Sequence, residues 1–179
     1  MSKRDGNKFD RVSRDYYATI DPIAVARLVP HLKRPCYYCE PCAGAGDLIK
    51  ALSEKGPYGC IGAYDIEPQK PTITQRNCLT LKSSDFDFTG LDYFITNPPF
   101  AWDMLKPILD HLPKIKPTWL LLPADRMHNV RMGPYMKICE KVVSVGRMYW
   151  QENKVKGVDN FAWFLFNDHT LKTTELIGR

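Results

Sequence analysis

Cys36 to Asp47 reads as a strand, a tight turn and a helix in immediate succession, and that order leaves the fold little freedom. Cys36 to Glu40 is a short buried strand. Glu40-Pro41-Cys42-Ala43-Gly44-Ala45-Gly46 supplies the turn. A helix begins near Asp47, with Leu48, Ile49, Ala51 and Leu52 as its apolar positions and Gly56-Pro57 as its stop. A strand that runs straight into a helix has no hairpin partner next in sequence. The chain must return to the sheet by a crossover, which favours parallel strands with helices packed on them.

The rest of the chain repeats the alternation. Asp21 as N-cap and Pro22 in the first turn predict an earlier helix with Ile23, Ala26, Val29 and Leu32 as its apolar positions, kinked or ended at Pro30. Further strands are predicted at 59–65, 73–77, 91–96 and 119–122. A helix is predicted at 102–112, and another within 127–141, broken near Gly133-Pro134. Two consecutive strands, 142–148 and 160–166, predict an antiparallel edge hairpin. In a parallel sheet, ligands sit beyond the carboxyl ends of the strands, so the loops there are where chemistry is expected.

The 179 residues suit one domain, and the 44% apolar and 25% charged content lets it build a core without metal or disulfide staples. Met1 to Arg14, with five basic and two acidic residues, reads as a mobile basic arm ahead of a single domain over 15–179. No apolar run approaches a membrane span, and no apolar segment follows the N-terminal charges, so a cytoplasmic location is expected. The net charge of +5 is a mild bias toward a polyanionic partner. Cys36, Cys39 and Cys42 have metal-like spacing. The first two fall on opposite faces of the predicted strand and the third in the turn, so reduced thiols and no metal are expected.

Three constellations follow predicted strands. The first is Glu40 to Gly46. Its glycines let backbone approach a ligand closely, while Ile49 stands where the third glycine of a dinucleotide fingerprint would be. A glutamate at the strand end repels phosphate and suits a cation such as an amino acid's ammonium group. The second is Asp65-Ile66, with Asp65 lying 19 residues after Gly46, near the spacing of a ribose-binding acid. The third is Asn97-Pro98-Pro99-Phe100. The prolines hold the chain extended and remove two N–H donors. The Asn97 oxygen and a neighbouring carbonyl can then accept from one amine, freeing its lone pair for attack. Phe100 offers a flat face to a planar substrate. Taken singly, each is also compatible with an ordinary turn or loop.

Together, in this order and spacing, the motifs resemble those of class I S-adenosylmethionine-dependent methyltransferases of the amino-group type. They are most similar to the N6-adenine DNA enzymes, including small phage-encoded ones. The likeness runs from about Asp15 to Phe166. It implies a doubly wound, Rossmann-like methyltransferase sheet of seven strands with helices on both faces. It implies S-adenosylmethionine as cofactor, with Glu40, Pro41, Cys42, Gly44 and Gly46 on its methionine part. Asp65 and Ile66 fall at its ribose and Asn77 and Cys78 at its adenine. Tyr17-Ala18-Thr19-Ile20 resembles an N-terminal Tyr-x-Thr-Pro motif with Ile20 in place of proline, which adds Tyr17 and Thr19 to the cofactor set. Asn97, Pro98, Pro99 and Phe100 match the catalytic motif, and Asn160-Phe161-Ala162-Trp163-Phe164 resembles a late strand of such chains.

Adenine in DNA must leave its stack or already be single-stranded, with Phe161 and Trp150 as candidates for the wall opposite Phe100. Nine Lys/Arg against three Asp/Glu over 113–157 make Arg126, His128, Arg131, Lys154 and Lys156 candidate phosphate contacts. Only sixteen residues follow Trp163, too few for a separate target-recognition domain, so weak or short sequence specificity is expected. A role in evading restriction fits a phage enzyme. The same chemistry on RNA, on protein glutamine, or a catalytically silent binding module are the rival readings.

Overall fold

The computed structural model describes residues 17–169 and 173–179; the expected arm over 1–14 lies outside them. The first helix, α1 (Pro22–Leu28), starts where its cap predicts, with the Asp21 side chain accepting from the Ile23 N–H. Pro30 falls in a following turn of 3-10 helix, Val29–His31. Then come β1 (Cys36–Glu40), α2 (Asp47–Ser53), β2 (Tyr58–Asp65), β3 (Thr74–Gln75) and β4 (Tyr93–Thr96). The later elements are α3 (Trp102–His111), β5 (Thr118–Pro123), the single turn α4 (Gly133–Met136), β6 (Cys139–Tyr149), β7 (Lys156–Phe166) and β8 (Glu175–Ile177).

One sheet holds all eight strands in the order β3-β2-β1-β4-β5-β7-β6-β8. Strands β3 to β5 are parallel, and β7 runs antiparallel between β5 and β6. The seven expected strands are present, and β8 adds an eighth, parallel to β6. The terminal hairpin is therefore not at the edge. Three residues with polar flanks carry no usable period, which is why β8 is invisible in the sequence. The expected strand at 73–77 shrinks to two residues, and the helix sought within 127–141 is mostly 3-10 turns, Ala124–His128 and Val130–Met132, ahead of the one turn α4. Pro134 sits at the start of that turn rather than breaking a longer helix, as its missing N–H allows.

Side-chain alternation along the strands builds two cores, one per face. Ile95, Trp119, Leu121 and Trp163 pack with Ala24, Val25 and Leu28 of α1 and Leu48 and Leu52 of α2. Phe94, Leu120, Leu122 and Phe164 pack with Leu105, Ile108 and Leu109 of α3 on the other. Cys36 and Cys39 divide between the two cores, as the strand period requires. Trp163 is fully buried, and its indole N–H donates to the Ala24 carbonyl at 2.8 Å, tying α1 to the sheet. No described helix is long and apolar enough to cross a membrane, and no group of three or more His, Cys, Asp or Glu among the described residues could hold a metal ion.

Candidate active site

Three adjacent strands, β2, β1 and β4, end side by side and deliver Asp65, Glu40 and, one residue past β4, Asn97. A cavity of about 520 Å³ opens above them. This lies within the ~300–1,000 Å³ usual for pockets that hold a small organic ligand. Tyr17, Thr19, Glu40, Pro41, Cys42, Asp65, Ile66, Asn77, Cys78, Asn97 and Pro99 all line it. They are spread over the sequence from Tyr17 to Pro99, so convergence on one cavity is a property of the fold.

Each strand end holds its polar group differently. Asp65 is anchored by the backbone: Oδ2 accepts from the Gly44 N–H at 2.8 Å and Oδ1 from the Glu67 N–H at 2.7 Å. The first of these bonds ties the β2 end to the glycine turn. Gly44 and Gly46 have φ of +52° and +79°, a conformation that costs any residue with a Cβ ~1–2 kcal/mol. Glu40 is 2% exposed, and its Oε2 has no hydrogen-bond partner. Burial, reinforced by the nearby charges of Asp47 and Asp65, pushes its carboxyl well above the usual carboxylate range. Asn97 donates from Nδ2 to the Tyr17 carbonyl at 2.8 Å, while its Oδ1 is buried without a partner.

The remaining residues divide by position. Asn77 caps a 3-10 turn, its side chain accepting from the Leu79 N–H at 3.0 Å. The neighbouring Cys78 thiol and burial raise the Cys42 thiol. Gly46 lies behind the cavity, in a groove against β2 and β3, so its contribution there is the turn it permits. Pro98 is buried, and Phe100 sits beside the cavity in a group of rings. Tyr17 stacks on Phe100 with centroids 5.5 Å apart and planes 18° apart. Phe161 also lies 5.5 Å from Phe100 but tilted by 45°, and Trp150 stands at 6.4 Å and 63°. Phe161 and Trp150 pack edge to face on each other at 4.8 Å, and neither is parallel to Phe100. The ring facing Phe100 is Tyr17, which the sequence placed with the cofactor.

Among the candidate phosphate contacts, Arg126 turns inward. Its Nη2 donates to the Phe100 carbonyl at 2.6 Å, bracing the loop from its backbone. The Arg131 guanidinium lies 6.0 Å over the Trp102 ring; it and His128 are exposed. Lys154 and Lys156 are exposed at the β6–β7 turn, with Lys154 at a φ of +55°. Sequence reasoning missed the α3 side of the cavity, where Asp103, Met104, Pro107 and Ile108 line one helix face. Their signal was available, since that helix starts two residues after Phe100 and these positions repeat at helical spacing.

This sheet, mostly parallel with β7 antiparallel between β5 and β6, is a Rossmann-like fold shared with solved structures of low sequence identity. The chain is similar to the 23S rRNA methyltransferase ErmE with a TM-score of 0.52 and 15% identity, over 83% of this chain and 68% of that one. It is similar to the modification subunit of a candidate type I restriction enzyme from Vibrio vulnificus YJ016 with a TM-score of 0.54 and 12% identity, over 90% of this chain and 46% of that one. The chain thus spans about half to two thirds of the length of these structures. No family model matches the sequence, and the comparison with curated proteins found no match.

Proposed function

We propose that the chain is an S-adenosylmethionine-dependent methyltransferase acting on the exocyclic N6 amine of adenine in DNA, with low or short sequence specificity. The observation that carries the reading is Asn97. Its Nδ2 is held by a carbonyl, which can only accept, so the unpartnered Oδ1 is the atom available to accept from an incoming amine. A conjugated amine is a poor nucleophile because its lone pair is delocalised into the ring. Accepting its hydrogens localises that pair. The fixed amide does this without reorganising at the moment of reaction.

The cavity residues fit the cofactor. Glu40 presents a buried carboxyl with an open acceptor, which suits an ammonium group, and an arriving cation would return it to the ionised form. Asp65, fixed by two backbone N–H groups, has lone pairs left for two ribose hydroxyls. Asn77 and Cys78 line the same cavity, which is compatible with contacts to the cofactor's adenine, and Thr19, Pro41 and Cys42 also line it. When bound, S-adenosylmethionine supplies an electrophilic methyl group on a sulfonium. The protein's part is to place the amine in line with it and exclude water. Arg126 steadies the catalytic loop, and His128, Arg131, Lys154 and Lys156 are the basic side chains offered to a nucleic-acid backbone. An adenine must leave its stack to reach the site, which favours a single-stranded or easily opened target.

The test is direct. Purified protein with S-adenosylmethionine is given unmethylated double-stranded DNA, single-stranded DNA or RNA, and each product is digested and examined by mass spectrometry. N6-methyladenine in a DNA lane is the expected result. The same product in RNA alone moves the target to RNA, which the fold shared with an rRNA enzyme makes the second reading. Labelled protein with no labelled nucleic acid moves it to glutamine.

A further inference from the structure

We propose that Tyr17 and Phe100 form a two-sided clamp for the target ring, and that Tyr17 is a substrate residue rather than a cofactor residue. The inference rests on the adenine reading above. Four rings, Tyr17, Phe100, Trp150 and Phe161, gather near Asn97, and of the ring contacts among them that of Tyr17 with Phe100 is the near-parallel one. A ring held between two others needs both walls nearly parallel to it. Tyr17 and Phe100 are 18° from parallel, whereas Phe161 is tilted by 45° and Trp150 by 63° from Phe100.

The clamp is closed in this structure. Its ring centroids are 5.5 Å apart, which leaves no room for a third ring. Two carbon contacts of ~3.5 Å on either side of a guest require walls about 7 Å apart. Tyr17 therefore covers the face of Phe100 that a target would use, and the guest enters by parting the two rings. Tyr17 precedes α1 in irregular chain and is held to the site by its carbonyl bond to Asn97, so its ring can swing about a fixed backbone point. That same bond sets which way the Asn97 amide faces. One residue thus supplies a wall of the slot and the orientation of the acceptor at its end.

The experiment measures steady-state methylation of a single-stranded adenine-containing oligonucleotide, and S-adenosylmethionine affinity by calorimetry, for wild type, Tyr17→Ala, Tyr17→Phe and Phe161→Leu. Cofactor binding also reports that each variant is folded. Tyr17→Ala is expected to raise the oligonucleotide KM roughly tenfold or more, as loss of one aromatic–base stack does, while cofactor affinity moves less than about threefold. Tyr17→Phe, which keeps the ring and the carbonyl, is expected to rescue the KM. A Tyr17→Ala protein with wild-type oligonucleotide KM and weakened cofactor binding overturns the clamp and returns Tyr17 to the cofactor. So does a lowered KM, which would make Tyr17 a plug, or a KM effect confined to Phe161→Leu. A wild-type chain that binds cofactor and methylates no nucleic acid overturns the adenine reading and the clamp with it. Methylation by wild type with Tyr17→Ala unaffected overturns the clamp alone.

Discussion

The end of β2 and the ends of β1 and β4 lie next to one another and are finished differently. At β2, both oxygens of Asp65 are engaged by backbone N–H groups, and the carboxylate works as a brace between the glycine turn and the following loop. At β1 and β4, Glu40 Oε2 and Asn97 Oδ1 are buried without partners. Leaving a buried acceptor unmet costs ~1–3 kcal/mol, and these two belong to residues that line the cavity, where a ligand's hydrogen could meet them. The contrast is one of degree: Asp65 is fixed by backbone and keeps only its second lone pairs free, whereas Glu40 and Asn97 each keep a whole oxygen open.

Breaking the β4 end should have the largest effect. Asn97→Ala removes the open acceptor, and turnover is expected to fall ~10²–10³-fold with cofactor affinity nearly unchanged, measured by kcat beside calorimetry. Asn97→Asp is a sharper form of the same test, because its second oxygen would face the Tyr17 carbonyl with no hydrogen between them. A loss of at least ~10-fold in kcat is expected near neutral pH. Breaking the β2 end should act on binding instead. Asp65→Ala frees the Gly44 and Glu67 N–H groups and unties the turn, and cofactor affinity is expected to drop ~100-fold, two charge-assisted hydrogen bonds being at stake.

The β1 end tests the contrast through pH. The folded chain holds Glu40 protonated more readily than the unfolded chain does. Its contribution to stability is therefore present at low pH and is lost as pH rises from the ordinary carboxylate value toward the raised one. Glu40→Gln is expected to raise the melting temperature of the ligand-free protein above that window while weakening the cofactor about tenfold. Wild-type cofactor affinity should weaken as pH falls, because the ammonium needs the ionised carboxyl, and calorimetry in buffers of different ionisation enthalpy should show proton uptake by the buffer on binding. The smallest effect belongs to the exposed lysines. Lys154→Ala or Lys156→Ala should lower the slope of log affinity for DNA against log salt by about one each, with little change in kcat.

Much of the fold was legible because its strands and helices carry their own periods and punctuation. Asp21 caps α1, Cys36–Glu40 forms β1, and Asp47 opens α2 where the sequence places them, since capping and glycine turns are local chemistry. The same holds for the listing of polar residues at the ends of β1, β2 and β4. The element 175–177 was hidden because three residues of strand are stabilised by pairing with β6, which no local pattern encodes. The one-turn α4 and its neighbouring 3-10 turns carry the apolar spacing of a longer helix, and that spacing alone does not report length.

The candidate site divides in the same way. The identities of Glu40, Asp65 and Asn97, and the turn that Gly44 and Gly46 permit, follow from local sequence. Which of their atoms is engaged and which is left open does not. That depends on the Tyr17 carbonyl reaching Asn97 across eighty residues and on the Gly44 N–H reaching Asp65 across twenty-one. The sequence offers Phe161 and Trp150 for the side facing Phe100; both rings are tilted to it, and Tyr17 is the ring stacked on it. Residue type and spacing are set by the chain, whereas the relative planes of rings and the pairing of hydrogen-bond groups are set by packing, which exists only when distant segments have met.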